Sequence, residues 1–514
     1  MTMKIISSSY KLSAAATVSS ALATLTALTL MAGCAVGPDF QRPAAPAVSG
    51  YAREPLPAKT VSADIAGGEE QSFALDRDIP EQWWTLFQSP QLNALIEKAL
   101  KASPTLVAAQ AALRQAVELV YAQQGVFFPT LQAGFSPSRQ KASNALSPPL
   151  NTNQLLYNLF TTQVSVGFTP DVFGGNRRQV ESLKAQADSQ RFQLQAAYVT
   201  LTSNVVTATV QEASLKAQIA ATKEIIGIIS KSLGLVQRQF DLGYAARLDL
   251  AAQEAALAQV QQALPPLQKQ LEQNRNLLIA LAGGFPGDDL EEKFDLTALR
   301  LPNELPVSLP SKLVEQRPDV RAAEEQMHAA SAEIGVAIAN RLPQFTISAA
   351  YGGTATQFAR MFANGNPFWS VAGNVAQTLF AGGTLLHLQR AAEAAFEQAA
   401  AQYRSTVITA FQNVADTLYA LQNDAESLKA AVAAERAAKI SLDLTIKQQQ
   451  FGYTGYLALL SAHQAYQQAL ITRVQAQANR FADTAALFQA LGGGWWNRPD
   501  DTAKMIGPPT RCCP

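Results

Sequence analysis

Cysteine is missing from the body of this chain. Of its three cysteines, Cys34 stands near the start, and Cys512 and Cys513 are adjacent at the far end. A disulfide framework and a thiol centre inside the fold are thereby excluded, and the tail pair reads as a disordered end. Histidine is as scarce. His328, His387 and His463 lie far apart, without metal-ligand spacing to Cys or carboxylates, and each reads as a helix-surface residue rather than a ligand. Neither sign of charge is in excess: 40 basic and 40 acidic residues cancel, which removes the electrostatic case for nucleic acid. No Gly-rich phosphate loop, nucleophile elbow or metal motif occurs in a fitting context, so nothing points to catalysis, a metal or another cofactor. Proline is absent from Arg177 to Phe240, 64 residues. That leaves room for a single helix of about 96 Å at 1.5 Å per residue, where ordinary helices average about 10–14 residues.

What is present begins with an export signal. Lys4 and Lys11 give a positive start, Ser13 to Met31 is uncharged and rich in Ala, Leu and Thr, and Ala32-Gly33-Cys34 closes the run. That order is a secretory signal, so residues 1–33 are expected to be removed. An uncleaved membrane helix needs about 20 apolar residues; the run nearly qualifies, but its Ala-Gly-Cys ending favours cleavage and acylation of Cys34. Several acyl chains on one residue anchor firmly, at ~0.8 kcal/mol per buried methylene. Ala35 stands where lipoproteins kept at the inner membrane carry Asp, which directs the expectation to the outer membrane.

The remainder is written twice. Ser103-Pro104-Thr105-Leu106-Val107-Ala108-Ala109 is echoed by Arg317-Pro318-Asp319-Val320-Arg321-Ala322-Ala323, and Pro129 by Pro343, at an offset of 214. Phe173-Gly174-Gly175 has its counterpart in Phe380-Ala381-Gly382-Gly383. Leu242-Gly243, Leu248 and Leu250 match Phe451-Gly452, Leu457 and Leu459 at 209. The expected division is a signal (1–33), a lipidated extended segment (34–80), a first repeat (81–290), a Pro-rich linker (291–310), a second repeat (311–494) and a tail (495–514).

Each repeat has the same internal order. A helix comes first, Leu92 to about Gln124 and Lys312 to about Arg341, ended by Pro129 and Pro343. Period-two alternation follows near 130–139, 162–172, 344–356 and 368–378, with Leu131, Ala133 and Phe135 or Phe345, Ile347, Ala349 and Tyr351 on one face. Alternation over about ten residues with small polar residues opposite is the pattern of a membrane-barrel strand, although a soluble sandwich fits these four segments nearly as well. Two long helices complete each repeat, turning at Gly243 and Gly452 and returning over Leu248–Ala282 and Leu457–Leu491. Val407, Phe411, Val414, Leu418, Leu421, Ala425, Leu428 and Val432 form a heptad seam, while Pro265-Pro266 is expected to kink or split the first return helix. Ala and Gln dominate elsewhere, which suits a wall of closely packed helices around a wet interior.

Cys34-Ala35-Val36-Gly37-Pro38-Asp39-Phe40-Gln41-Arg42-Pro43, Trp83-Trp84-Thr85-Leu86-Phe87, Gln316-Arg317-Pro318-Asp319-Val320, Asp171-Val172-Phe173-Gly174-Gly175 and Leu379-Phe380-Ala381-Gly382-Gly383 resemble the TolC-like outer-membrane factors of the lipidated NodT/OprM type. The resemblance runs from Cys34 to Trp496. It implies a mainly α, internally duplicated fold with a membrane β-barrel: four strands per chain completed as twelve in a homotrimer, and helical hairpins forming a periplasmic α-barrel. It further implies the outer-membrane channel of a tripartite efflux system of the resistance-nodulation-division type, a passive duct with a periplasmic adaptor, an inner-membrane pump and outer-membrane lipid as partners. An outer-membrane component of a system secreting peptides or signalling molecules is the alternative. A periplasmic adaptor lipoprotein would have one hairpin, and this chain has two.

The same resemblance places a gate at the two helix turns, with Gly243, Asp249, Gly452 and Tyr453 as its candidate residues. Asp249 reads equally as a helix cap just after a turn. Where some relatives carry a ring of aspartates this chain has Ala458 and Ser461, so closure here is expected to rest on other contacts.

Overall fold

The computed structural model describes residues 35–48, 50–53, 57–143, 145, 154–289 and 292–498. Cys34, Cys512 and Cys513 lie outside the described residues. The chain divides into two compact units, each assembled from both repeats: one holds residues up to Arg42, Gln115–Ser189 and Glu324–Gln402, the other Pro43–Arg114, Gln190–Ala323 and Tyr403 onward.

β1 (Ser72–Leu75) precedes the first repeat, which runs α1 (Pro90–Ala102), α2 (Pro104–Gln124), β2 (Thr130–Lys141), β3 (Leu156–Phe168), α3 (Gly175–Asp241) and α4 (Arg247–Leu281). β4 (Glu304–Val307) precedes the second, which runs α5 (Pro310–Gln316), α6 (Pro318–Ala339), β5 (Gln344–Ala355), β6 (Pro367–Ala376), α7 (Thr384–Gln450) and α8 (Tyr456–Ala490). The opening helix of each repeat is therefore two helices, not the continuous one expected from Leu92 and Lys312. Pro104 and Pro318 push the residue before them out of the helical region: Ser103 is extended at φ −63°, ψ 117°, and Arg317 at φ −79°, ψ 121°.

The proline-free stretch forms one helix of 67 residues, matched by an α7 of the same length. The expected break at Pro265-Pro266 does not occur, and α4 passes through both prolines unsplit. The carbonyls of Gln261 and Gln262 lose their partners there, but both residues are exposed, so water can serve them. The heptad seam of α7 is buried at Val407, Val414, Leu418, Leu421, Ala425 and Leu428. Nearer the turns Ile225 and Ile229 of α3, Val260 of α4, Leu442 of α7 and Leu459 and Leu470 of α8 share one apolar core.

In the first unit the sheet order is β2-β3-β5-β6, antiparallel throughout. β3 begins six residues before the expected segment and ends four before it. Leu156 pairs with Lys141 so that the hairpin zips along its whole length, and Pro170 and Asp171 then turn the chain into α3.

The second unit holds what the pattern did not foretell. β1 and β4 form a small parallel sheet, β4 lying inside the Pro-rich linker. The aromatic motif after β1 is a core anchor: Trp83 stacks on Phe488 at 5.1 Å and Phe87 meets Phe481 at 6.4 Å. Arg317 is buried, forks onto both oxygens of Asp319 and donates to the carbonyl of Ala490 at 3.0 Å, at the negative end of α8. Arg480, with no exposed surface, donates to the carbonyls of Gly67 and Glu69, to Gln71 Oε1 and to Thr60 Oγ1. Four acceptors on an irregular segment are thus satisfied by one guanidinium on α8.

Asp424 of α7 lies beside Asp483 of α8. Burial, then the hydrogen bond and charge of Asp483, push the Asp424 carboxyl up to about 7, against the opposing pull of Arg480. The fold therefore favours the protonated acid, whereas the unfolded chain ionises near 3.8. Stability contributed by this pair is complete at low pH and lost as pH rises through about 7. Replacing the acid by a neutral amide, Asp424→Asn should raise the thermal unfolding temperature relative to the parent more at pH 8 than at pH 5; a difference from the parent that does not change between these two pH values would refute the assignment.

Candidate functional site

The four-stranded sheet has two chemically distinct faces. Leu131, Ala133 and Phe135 of β2 stand opposite Val166, Val164 and Thr162 of β3; Val164 stands opposite Tyr351 of β5, and Tyr351 opposite Trp369 of β6. Val371 and Val375 extend this face, and its large side chains are exposed, Trp369 to 74%. The other face carries Gln132, Ser136, Gln163, Ser165, Thr346, Ser348, Ser370 and Asn374. Phe358 of the connection after β5 covers this face only at Phe135 and Phe160; the exposed apolar remainder is suited to lipid, and the polar surface to water. All four attached helices leave from one end of the sheet, because β2 and β5 begin there and β3 and β6 finish there. The paired ends Lys141 and Leu156 and the connection 356–366 lie at the opposite end.

The residues following position 34 are fixed to this unit. The Val36 amide donates to the Phe173 carbonyl at 3.0 Å. Arg178, 4% exposed, donates to the carbonyls of Val36 and Gly37 and to the Asp39 carboxylate at 2.7 Å. Gly37, at φ +97°, lies so close to α6 that a Cβ on it would fall 2.4 Å from the Cα of Gly335. Phe40 stacks on His328 at 4.4 Å, and Arg42 pairs with the buried Glu324 at 2.9 Å.

In the second unit the two helix turns are built alike. Gly243 (φ +80°) and Gly452 (φ +76°) adopt the left-handed conformation that glycine tolerates. The Gly243 amide donates to Phe240 and that of Tyr244 to Gln239; Gly452 and Tyr453 donate likewise to Gln449 and Gln448. This double closure satisfies carbonyls at both helix ends. Each turn then exposes large apolar side chains: Leu242, Tyr244 and Leu248 in one, Phe451, Tyr453 and Leu457 in the other.

Asp249 sits in the first turn of α4, where its carboxylate accepts the Ala246 amide at 3.3 Å. Arg247, in the same turn, lies 3.9 Å from Glu254 and over the ring of Phe240. Tyr453 is 83% exposed and lies against Phe451. Sequence reasoning missed Tyr456: its hydroxyl is held above the usual tyrosine range, mainly by burial and then by the charge of Asp249. The offset of 209 places Tyr456 opposite Arg247 and was the available signal. Ala458 and Ser461 are both exposed and neutral, Ser461 donating to its own helix at Leu457.

One histidine departs from expectation. His463 is 2% exposed, because position 463 falls on the same stripe of α8 as Leu459, Tyr466 and Leu470. Burial holds its ring below the usual imidazole range. His328 lies between Glu181 and Glu325 at 3.2 Å from each.

Comparison with known proteins agrees with this arrangement. The profile of the outer membrane efflux protein family matches residues 95–284 and 309–493. The chain is 29% identical over 446 residues to the pyoverdine export outer membrane protein OpmQ of Pseudomonas putida, covering 86% of this chain and 94% of that protein. It is 27% identical over 478 residues to the toluene efflux pump outer membrane protein TtgC of the same species, covering 91% and 94%. Among solved structures it is similar to the outer-membrane channel OprN, with a TM-score of 0.79 and 26% identity over 90% of this chain and 100% of that one. VceC of Vibrio cholerae follows the same fold at a TM-score of 0.75 and 25% identity, over 80% and 98%. The two-copy plan, the four-stranded sheet and the paired long helices are those of an outer-membrane channel, and the chain belongs to the outer membrane efflux protein family.

Proposed function

We propose that the chain is the outer-membrane duct of a tripartite efflux machine, working as a homotrimer with a periplasmic adaptor and an inner-membrane pump. The observation that carries this reading is the sheet of Thr130–Ala376, apolar on one face, polar on the other and unpaired at both edges. Three copies bring twelve strands, and joining β6 of one copy to β2 of the next removes every edge. Apolar side chains then meet lipid while Gln132, Ser165, Ser348 and Asn374 line the passage.

The cargo is a small molecule chosen by the pump. OpmQ and TtgC carry pyoverdine and toluene in their names, and a wall of Ser, Thr, Gln and Asn has no charge with which to select. The duct performs no chemistry of its own. The turns at Gly243 and Gly452 form the periplasmic mouth, and their exposed Leu, Tyr and Phe side chains offer an adaptor an apolar landing surface. Asp249 holds the mouth closed through its neighbours on adjoining hairpins, Tyr456 among them. Residues 1–33 are a signal, residues 34–80 a lipidated lead segment and 81–290 and 311–494 the two repeats, joined by 291–310 and followed by a tail.

Three outcomes are expected. Asn364→Cys, in the connection between β5 and β6, should react with an impermeant maleimide on intact cells; reaction only after the outer membrane is broken would overturn the topology. Mass spectrometry of the first mature peptide should find Cys34 acylated, and Cys34→Ser should release a larger share of the protein from membranes on salt washing. A mature chain starting elsewhere would remove Cys34 from the account. Asp249→Ala should raise single-channel conductance in planar bilayers severalfold with trimer assembly intact. The lost contact is an exposed one of roughly 0.2–1 kcal/mol, multiplied by three copies; closed-state conductance in an intact trimer would leave Asp249 a helix cap alone.

A further inference from the structure

Charge is spread unevenly along the four-stranded sheet. From Thr130 to Pro170 and from Gln344 to Gly383 the chain has no Asp or Glu, and its only cations are Arg139, Lys141 and Arg360. All three are exposed and belong to the end of the sheet away from the long helices. Arg139 and Lys141 close β2, and Arg360 lies in the connection after β5. At the helix end both signs occur together, as where Arg177 pairs with Asp171 at 3.3 Å. The membrane strands thus carry positive charge on one rim, with no acid of their own to balance it.

The register decides which way these side chains point. Arg139 stands opposite Asn158 and Lys141 opposite Leu156, in the row of Leu131, Ala133 and Phe135. Successive side chains alternate between faces, so Ser138 and Gln140 take the polar face and the two cations the apolar one. Arg360 is brought to the same face by its connection. Phe358, in the single helical turn Phe358–Arg360, meets Phe135 at 5.7 Å and Phe160 at 6.2 Å. Thr162 donates to the Met361 sulfur at 3.4 Å, and a Cβ on Gly353 would collide with the Met361 carbonyl, so the turn sits closely on the sheet. Phe358 and Phe362 remain largely exposed around it. Counted from Leu131 at 3.4 Å per residue along a strand tilted by about 40°, Arg139 stands about 20 Å up and Lys141 about 26 Å. An outward apolar band is about 25 Å tall. The cations therefore fall at its border, where acyl chains give way to headgroups.

We propose that Arg139, Lys141 and Arg360 form a binding site for a phosphate-bearing glycolipid of the outer leaflet, with its acyl chains lying against Phe135, Phe160 and Phe358. The proposal rests on the duct reading given above, which sets the face that meets lipid and the end that lies outside. A guanidinium forks onto two phosphate oxygens, and a lysine adds a compact charge. Arg139 and Lys141 stand about 7 Å apart along the strand, close enough for both long side chains to reach one phosphate. The negative charge that the strands lack is then supplied by the headgroup. Cations that screened the cargo would have to point into the passage, and the register of Arg139 and Lys141 turns them away from it. Phospholipid of the inner leaflet has its headgroups at the opposite border of the band, toward Arg177 and Asp171, and cannot reach this rim.

The test is native mass spectrometry of the full-length protein, purified in detergent and titrated with lipid A carrying two phosphates. Combining Arg139→Gln, Lys141→Gln and Arg360→Gln should weaken retention of this lipid at least tenfold. Lipid A stripped of phosphate should bind the parent no better than it binds the variant. The same spectra report the oligomer, and if the triple variant does not assemble as the parent does, Arg139→Gln alone should weaken retention at least threefold. Equal retention by the parent and an assembled variant overturns the site. Phosphatidylglycerol held by the parent as tightly as lipid A overturns the assignment to an outer-leaflet glycolipid. Either result leaves Asn364→Cys labelled from outside and the duct standing, whereas labelling only after the membrane is broken removes the topology and the site together.

Discussion

A peptide group in the membrane interior has no water to turn to, and each one left unpaired costs several kcal/mol. β2 and β6 each present such a row, since the sheet of the first unit stops at both of them. One chain of an outer-membrane protein therefore cannot complete its own membrane segment. Other features follow from that incompleteness. The apolar side chains of Trp369, Val371 and Tyr351 are exposed, and the helices all depart from one end so that the other end is free for connections. Such an assembly depends on repetition, and the sequence carries repetition already within each copy.

The second unit solves a different problem, that of holding irregular chain against helices. Arg480 and Arg317 do this with directed hydrogen bonds to backbone carbonyls, and the Trp83–Phe488 stack adds burial. A buried guanidinium is costly unless its donors are used; at Arg480 four acceptors from Thr60, Gly67, Glu69 and Gln71 converge on the two terminal nitrogens, while Nε is left without a protein partner.

Much of this was legible in the residues. Missing prolines announced the long helices, Gly243 and Gly452 announced the turns, and alternation announced three of the four strands to within two residues and β3 less closely, because each signal is local and repeated. The breaks at Ser103 and Arg317 were equally local, and reading Pro104 and Pro318 only as repeat markers hid them. The β1–β4 pair was out of reach: two four-residue strands, one in a Pro-rich linker, are too short for any period, and they pair across more than two hundred residues. His463 and Tyr456 were missed for another reason. Their environments are set by which helix faces which, and Asp249 acts on Tyr456 only because the two turns come together in space.

The uninterrupted passage of α4 through Pro265 and Pro266 leaves the two return helices mechanically unequal. Two successive rungs of the hydrogen-bond ladder are absent from α4 near its middle, while α8, with no proline, keeps its ladder whole. Under a bending load α4 is the softer spring, yielding near residue 265, and α8 behaves as the stiff lever. Displacement imposed at the two turns is thus absorbed along one hairpin and transmitted along the other.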